Sequence, residues 1–147
     1  LKRLHQIEWI KRGAPGAFSS EYLIKFHGYL IIHFFDKGYI QINKIYNDEA
    51  VLGYLYSFLF NGNILFYQSG FNYKEKHRPG LVSHYYSIIL NANKNFKIYD
   101  FLEGDDQYKK SLSTGFNQLY WCVLQKKKID FFIEEKLKVI KGKYQGY

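Results

Sequence analysis

The segment from Gly70 to Leu81 joins an apolar, strand-like run to a helix-like run, and Lys74, Lys76, His77 and Arg78 crowd the junction. A helix that starts there aims free backbone N–H groups and the positive end of its dipole at one point. Pro79 suits the first helical position because its missing N–H would be unpaired anyway. Gly80 permits close backbone approach. Arg78, Pro79, Gly80 and Leu81 are therefore candidates to hold a phosphate-bearing group. The competing reading of the same residues is an ordinary capped helix after a solvated loop.

Asp100 ends the apolar run Phe96-Lys97-Ile98-Tyr99-Asp100-Phe101. A carboxylate in such surroundings has its pKa pushed toward the range of a general base. Alternatively, Asp100 caps the following turn or pairs with Lys109. Tyr108 and Lys109 either bind substrate or lock that turn. Tyr67 and Ser69 alternate with Gln68, so strict strand periodicity puts both on one face, lining a cleft. The alternative for Tyr67 is core packing. His5 and His27 fall on two helices near a Pro-Gly turn, either as a shared polar site or as surface or core histidines. Cys122, between Trp121 and Val123, reads as a buried, inert thiol in a strand. The five histidines and single cysteine lack zinc-ligand spacing. No P-loop, nucleophile elbow or dinucleotide fingerprint is present.

These residues need a scaffold, and 147 residues at 47% hydrophobic content suffice for one domain with a real core. The 20% aromatic content opposes disorder. No run reaches the roughly 18 apolar residues of a membrane span, and Lys2, Arg3, His5 and Glu8 break any secretory leader. One cysteine excludes an internal disulfide framework and fits a reducing compartment, so a cytoplasmic location is expected. The chain opens on Leu1 and contains no methionine, which suggests a piece of a longer protein. The net charge of +8 suits nucleic acid, anionic lipid or a phosphorylated cofactor. The lysines are scattered, however, with Lys126-Lys127-Lys128 the one run, and a solvated charged surface is the usual outcome of such a pattern.

Along the chain, 1–12 has helical spacing and stops at Gly13, after which Ala14-Pro15-Gly16 turns. Ser19 or Ser20 caps a second helix that ends at Gly38, with Leu23, Phe26, Leu30 and Phe34 inward. Strands are expected over 39–46, 50–60 and 63–69, the last two joined by Asn61-Gly62, a strong hairpin signal. A helix over 80–93 follows, with Leu81, Val82, Tyr85, Ile88, Ile89 and Ala92 inward. The chain closes with a strand over 96–101, a turn at 104–106, a short piece carrying Tyr108, a strand over 116–124 and a helix over 129–141. This order describes an α+β fold with a mixed sheet. It combines an antiparallel meander with a parallel strand–helix–strand unit and places helices on both faces, all within a single domain over 1–147.

The ordered set Phe66-Tyr67-Gln68-Ser69-Gly70-Phe71, Pro79-Gly80-Leu81, Asp100-Phe101-Leu102, Gly104-Asp105 and Tyr108-Lys109 resembles acetyltransferases associated with cellulose and exopolysaccharide synthesis, within the GNAT superfamily. Upstream, Leu4-His5, Trp9, Gly13, Pro15-Gly16-Ala17-Phe18-Ser19 and Phe26-His27 resemble the same family, so the likeness covers about residues 4–110. Fem-type peptidoglycan transferases, which use aminoacyl-tRNA, are related. The sequence departs from the pattern at Arg78, where a small serine is usual, and at Glu103, where an arginine is usual.

The resemblance implies a GNAT fold and an acyl-CoA donor, with aminoacyl-tRNA as the less favoured donor and no metal. It implies an amine or hydroxyl acceptor, such as a glycan precursor of the cell envelope, and an N-terminal domain beyond the present chain. On this reading Asp100 and Tyr67 are catalytic. Arg78, Pro79, Gly80 and Leu81 bind the donor, and His5, His27, Ser69, Tyr108 and Lys109 bind the acceptor. The competing function is a non-catalytic module of the same fold that binds a glycan precursor or tRNA.

Overall fold

The computed structural model describes residues 1–75, 78–122 and 124. The chain divides into two compact units, Leu1–Gly115 and Phe116–Tyr147. The first contains α1 (Lys2–Lys11), a 3-10 turn (Ala17–Ser19), α2 (Glu21–Phe34), β1 (Ile40–Tyr46), β2 (Val51–Phe60), β3 (Asn63–Phe71), α3 (Pro79–Ala92), β4 (Ile98–Asp100) and α4 (Gln107–Leu112). The expected α+β architecture is present. One four-stranded sheet runs in the order β1-β2-β3-β4. The first three strands form the antiparallel meander, and β4 joins β3 in parallel through α3.

Local chemistry sets most boundaries. Asn61 and Gly62 both take positive φ, 50° and 74°, as a tight hairpin of this kind demands. Gly13 and Gly38 also adopt positive φ just past their helices. Ser20 caps α2, its hydroxyl accepting the Leu23 N–H at 3.4 Å.

Packing departs from the expected faces in two helices. α2 buries His27, while Phe26 is exposed. α3 buries Ser83, His84, Ser87 and Asn91, while Tyr85 and Ile89 face outward. The hydrophobic pattern misplaces this face because β1 offers it polar partners. Gln41 and Asn91 exchange amide hydrogen bonds of 2.9 and 3.1 Å, Asn91 donates to the Ser87 carbonyl at 2.8 Å, and Asn43 donates to the Ser87 hydroxyl at 2.9 Å. Buried amides that satisfy one another avoid the desolvation penalty that periodicity arguments assume. The apolar core is centred on Leu55, Phe66 and Phe101, with Phe71, Ile88, Tyr99 and Tyr108 packed against it.

In the second unit, residues 116–122 and 124 form neither helix nor strand, which corrects the strand expected over 116–124. Cys122 is exposed rather than buried, and it lies in no strand of the described residues. The helix expected over 129–141 lies outside the described residues.

Candidate active site

A β-bulge organises the site. In the β2–β3 ladder Tyr56 opposes Gln68 and the next residue, Ser57, opposes Phe66, so Tyr67 is the extra residue. A bulge puts two residues opposite one and breaks the period of two. Tyr67 therefore turns toward α2, its hydroxyl 3.0 Å from His27 Nε2. Ser69, opposite Leu55, falls on the α3 face with the core. The expectation that Tyr67 and Ser69 share a face is corrected, and the inserted residue is the reason.

His27 is 5% exposed, and its other nitrogen, Nδ1, lies 3.3 Å from the hydroxyl of Tyr56, which is 2% exposed. Burial lowers the His27 pKa, so the ring is neutral at pH 7. Burial, followed by the nearby Tyr67, pushes the Tyr56 hydroxyl up to about 12. Phe18 and Phe26 meet the His27 ring edge-on, with centroids at 6.4 and 5.2 Å.

His5 approaches from α1 on the other side of Phe18, 4.9 Å from its ring. Gln6 is the hub here. Its Nε2 donates to the Pro15 carbonyl at 2.7 Å, and its Oε1 accepts from the Phe18 N–H at 3.1 Å and from His5 Nδ1, also at 3.1 Å. A carbonyl oxygen only accepts, so His5 carries its proton on Nδ1 and presents a bare lone pair at Nε2. That nitrogen is buried without a full hydrogen bond, although the Gln68 side chain approaches the ring. Gly16, at φ 69°, makes the hub possible, because a Cβ there would stand 2.6 Å from Gln6 Oε1. His5 and His27 thus do converge, joined through Phe18, Tyr67 and Gln68.

The parallel pairing of β4 stops at Leu65↔Asp100. No described strand continues the ladder along Phe66–Phe71, so this edge of β3 is unpaired among the described residues beyond the end of β4. Asp100 neighbours Leu65, and Leu65 opposes Phe58, whose ring is 5.5 Å from that of Tyr67. Asp100 therefore shares the Tyr67 face of the sheet. Its Oδ1 accepts the Leu102 N–H at 2.7 Å and supports Leu102 at φ 56°. Lys109 does not pair with it; the ammonium is held by the Glu103 carbonyl. Tyr108 stacks on His84, with centroids 5.0 Å apart and planes at 16°.

At the start of α3, Arg78 sits at φ 48°, and the first intrahelical bond runs from the Val82 N–H to its carbonyl. The amides of Gly80 and Leu81 precede that bond. A Cβ at Gly80 would lie 3.3 Å from the Phe71 ring, so this glycine serves helix–strand packing. Lys76 and His77 lie outside the described residues. A separate groove of about 690 Å³ at the other edge of the sheet, lined by Ile42, Tyr46, Val82, Tyr86 and Leu90 among others, includes none of His5, His27, Tyr67 or Asp100.

A family model for the acetyltransferase (GNAT) domain matches residues 1–110. The chain belongs to that family. The match spans α1 through α4 up to Lys110, and so includes the bulge, the crossover and both histidines. No curated protein and no solved structure matches the chain significantly. Among the described residues no helix of this GNAT chain is long and apolar enough to cross a membrane. Tyr56, Gln6, Gln68 and His84 were not foreseen as site or core-polar residues. Tyr56 reads as one apolar residue within Val51–Phe60, and only the long-range pairing with His27 distinguishes it.

Proposed function

We propose that the chain transfers an acyl group from acyl-CoA to an amine or hydroxyl acceptor, with a glycan precursor of cell-envelope or exopolysaccharide synthesis as the favoured acceptor class. The observation that carries this reading is the edge of β3 left unpaired among the described residues beyond its short parallel pairing with β4, with Tyr67 on that stretch and the start of α3 following it. Open sheets bind ligands at the carboxyl ends of parallel strands. The Gly80 and Leu81 amides, with Lys74 and Arg78, receive the donor phosphates. Tyr67 and Gln68 face the acceptor, with His5 and His27 buried behind them, while Tyr108 and Lys109 position the loop after β4. A cytoplasmic supply of donor and an upstream domain belong to the same proposal.

Charge reversal at Arg78 tests the donor site. Arg78→Glu is expected to weaken CoA binding, measured by calorimetry, by on the order of tenfold, the scale of one charge-assisted contact. Unchanged affinity in a folded variant counts against the site. Strongly salt-dependent RNA binding without saturable CoA binding would favour a tRNA-binding module instead.

Asp100 shares the face, but its carboxylate already serves the Leu102 N–H. Asparagine keeps an acceptor oxygen for that N–H, so Asp100→Asn is expected to change stability by less than about 1 kcal/mol while turnover per folded molecule stays within a few-fold. A hundredfold fall in turnover with unchanged stability would transfer the proton-accepting role to Asp100.

A further inference from the structure

The geometry points to a buried Tyr56–His27–Tyr67 chain that fixes the His27 tautomer and makes Tyr67 a proton shuttle between the attacking and leaving atoms, with His27 and Tyr56 as positioning residues. This rests on the acyl-transfer reading above. The argument begins with the innermost group. The Tyr56 hydroxyl is buried, and among the described residues the acceptor within hydrogen-bond distance is His27 Nδ1. A buried O–H left without an acceptor is costly, so Tyr56 donates to Nδ1. A neutral imidazole has one acceptor and one donor nitrogen, so Nε2 carries the proton and donates to the Tyr67 oxygen at 3.0 Å. The proton of Tyr67 must then point away from His27. Tyr67 is also the least buried member of the chain. The opposite tautomer would strand the Tyr56 proton and turn the Tyr67 proton inward.

The ring is neutral because it is buried. The titratable groups facing it are Tyr56 from β2 and Tyr67 from β3; the Phe18 and Phe26 rings contribute no charge. As the thioester C–S bond breaks, its electron pair goes to sulfur and Tyr67 gives sulfur its proton. The resulting phenolate is held by His27 Nε2–H. It recovers a proton from the acceptor nitrogen or oxygen that has formed the new bond to the acyl carbon. One proton moves from nucleophile to leaving group, and no other reactant is needed. The bulge sets Tyr67 and Gln68 together opposite Tyr56, so that both fall on the His27 face.

Two measurements on the 147-residue chain test the inference. Nitrogen-15 NMR of the histidine rings at neutral pH is expected to show His27 protonated at Nε2 and bare at Nδ1, with the preference lost in Tyr56→Phe. The second is thiol release from acetyl-CoA with a panel of amino and hydroxyl sugars. Tyr67→Phe is expected to lower kcat by roughly a hundredfold with little change in donor KM. His27→Phe is expected to lower kcat with little change in donor KM, and His27→Gln, whose amide N–H can still donate to the Tyr67 oxygen, is expected to restore much of it. A structural role alone would not split kcat from KM or be rescued by a donor, so an unchanged kcat in folded His27→Phe overturns the shuttle. The Nδ1–H tautomer in an active wild type overturns the tyrosine chain and leaves the acyl-transfer reading standing. The Nε2–H tautomer without CoA binding or turnover overturns that reading, and the shuttle with it.

Discussion

Lowering the pH from 6.5 toward 4 is expected to remove about 3 kcal/mol of folding stability through His84 alone. His84 is 1% exposed on α3, with its Nδ1 3.1 Å from the Tyr99 hydroxyl and its Nε2 without a partner among the described residues. Phe66, Phe71 and Phe101 surround the ring, and Tyr108 stacks on it. Burial, and then the nearby Lys109 ammonium, lower its pKa from 6.5 to about 4. The depressed value means that the unfolded chain binds a proton at a pH where the folded chain does not. Stability is therefore complete above 6.5 and falls as pH drops toward 4. His5 and His27, also lowered chiefly by burial, add in the same direction. Urea unfolding at a series of pH values checks this, with His84→Phe as the comparison. The variant should show a distinctly shallower slope between pH 6.5 and 4. Equal slopes would mean that His84 titrates normally.

Gly70→Ala is expected to destabilise the fold by about 1–3 kcal/mol, the range for inserting a methyl group into a packed interface. The first turn of α1 rests directly on Gly70 of β3. A Cβ there would lie 2.3 Å from the Leu1 carbonyl oxygen and 3.1 Å from the His5 nitrogen. Those two atoms form the first hydrogen bond of the helix, at 3.0 Å, so backbone rather than a flexible side chain has to move. Displacing α1 also carries His5 and Gln6 away from Phe18. Gly28→Ala is the control. Gly28 lies inside α2 with open space where its Cβ would go. Alanine there should be neutral or stabilising by about 0.5–1 kcal/mol, from helix propensity and the reduced freedom of the unfolded chain. Chemical denaturation followed by circular dichroism resolves the opposite signs. A Gly70→Ala midpoint equal to wild type would show that α1 adjusts freely.

The residues themselves determined whatever depends on near neighbours. Asn61-Gly62 specified the hairpin, Gly13 and Gly38 ended their helices, Ser20 capped α2, and the strand–helix–strand order implied the parallel crossover. The GNAT superfamily was likewise legible, because the short motifs that resemble it occur in order along the chain. What the sequence did not reveal depends on contacts between distant residues. One extra residue at Tyr67 reverses which side chains of β3 share a face, and no local signal marks it, since a bulge is defined by the partner strand. The buried face of α3 is polar because Gln41 and Asn43 arrive from some fifty residues upstream with matching donors and acceptors. Tyr56 joins the site through His27, which lies twenty-nine residues earlier in the chain. Periodicity measures average affinity for water. Hydrogen-bond complementarity belongs to particular pairs of atoms, and only the folded chain brings those pairs together.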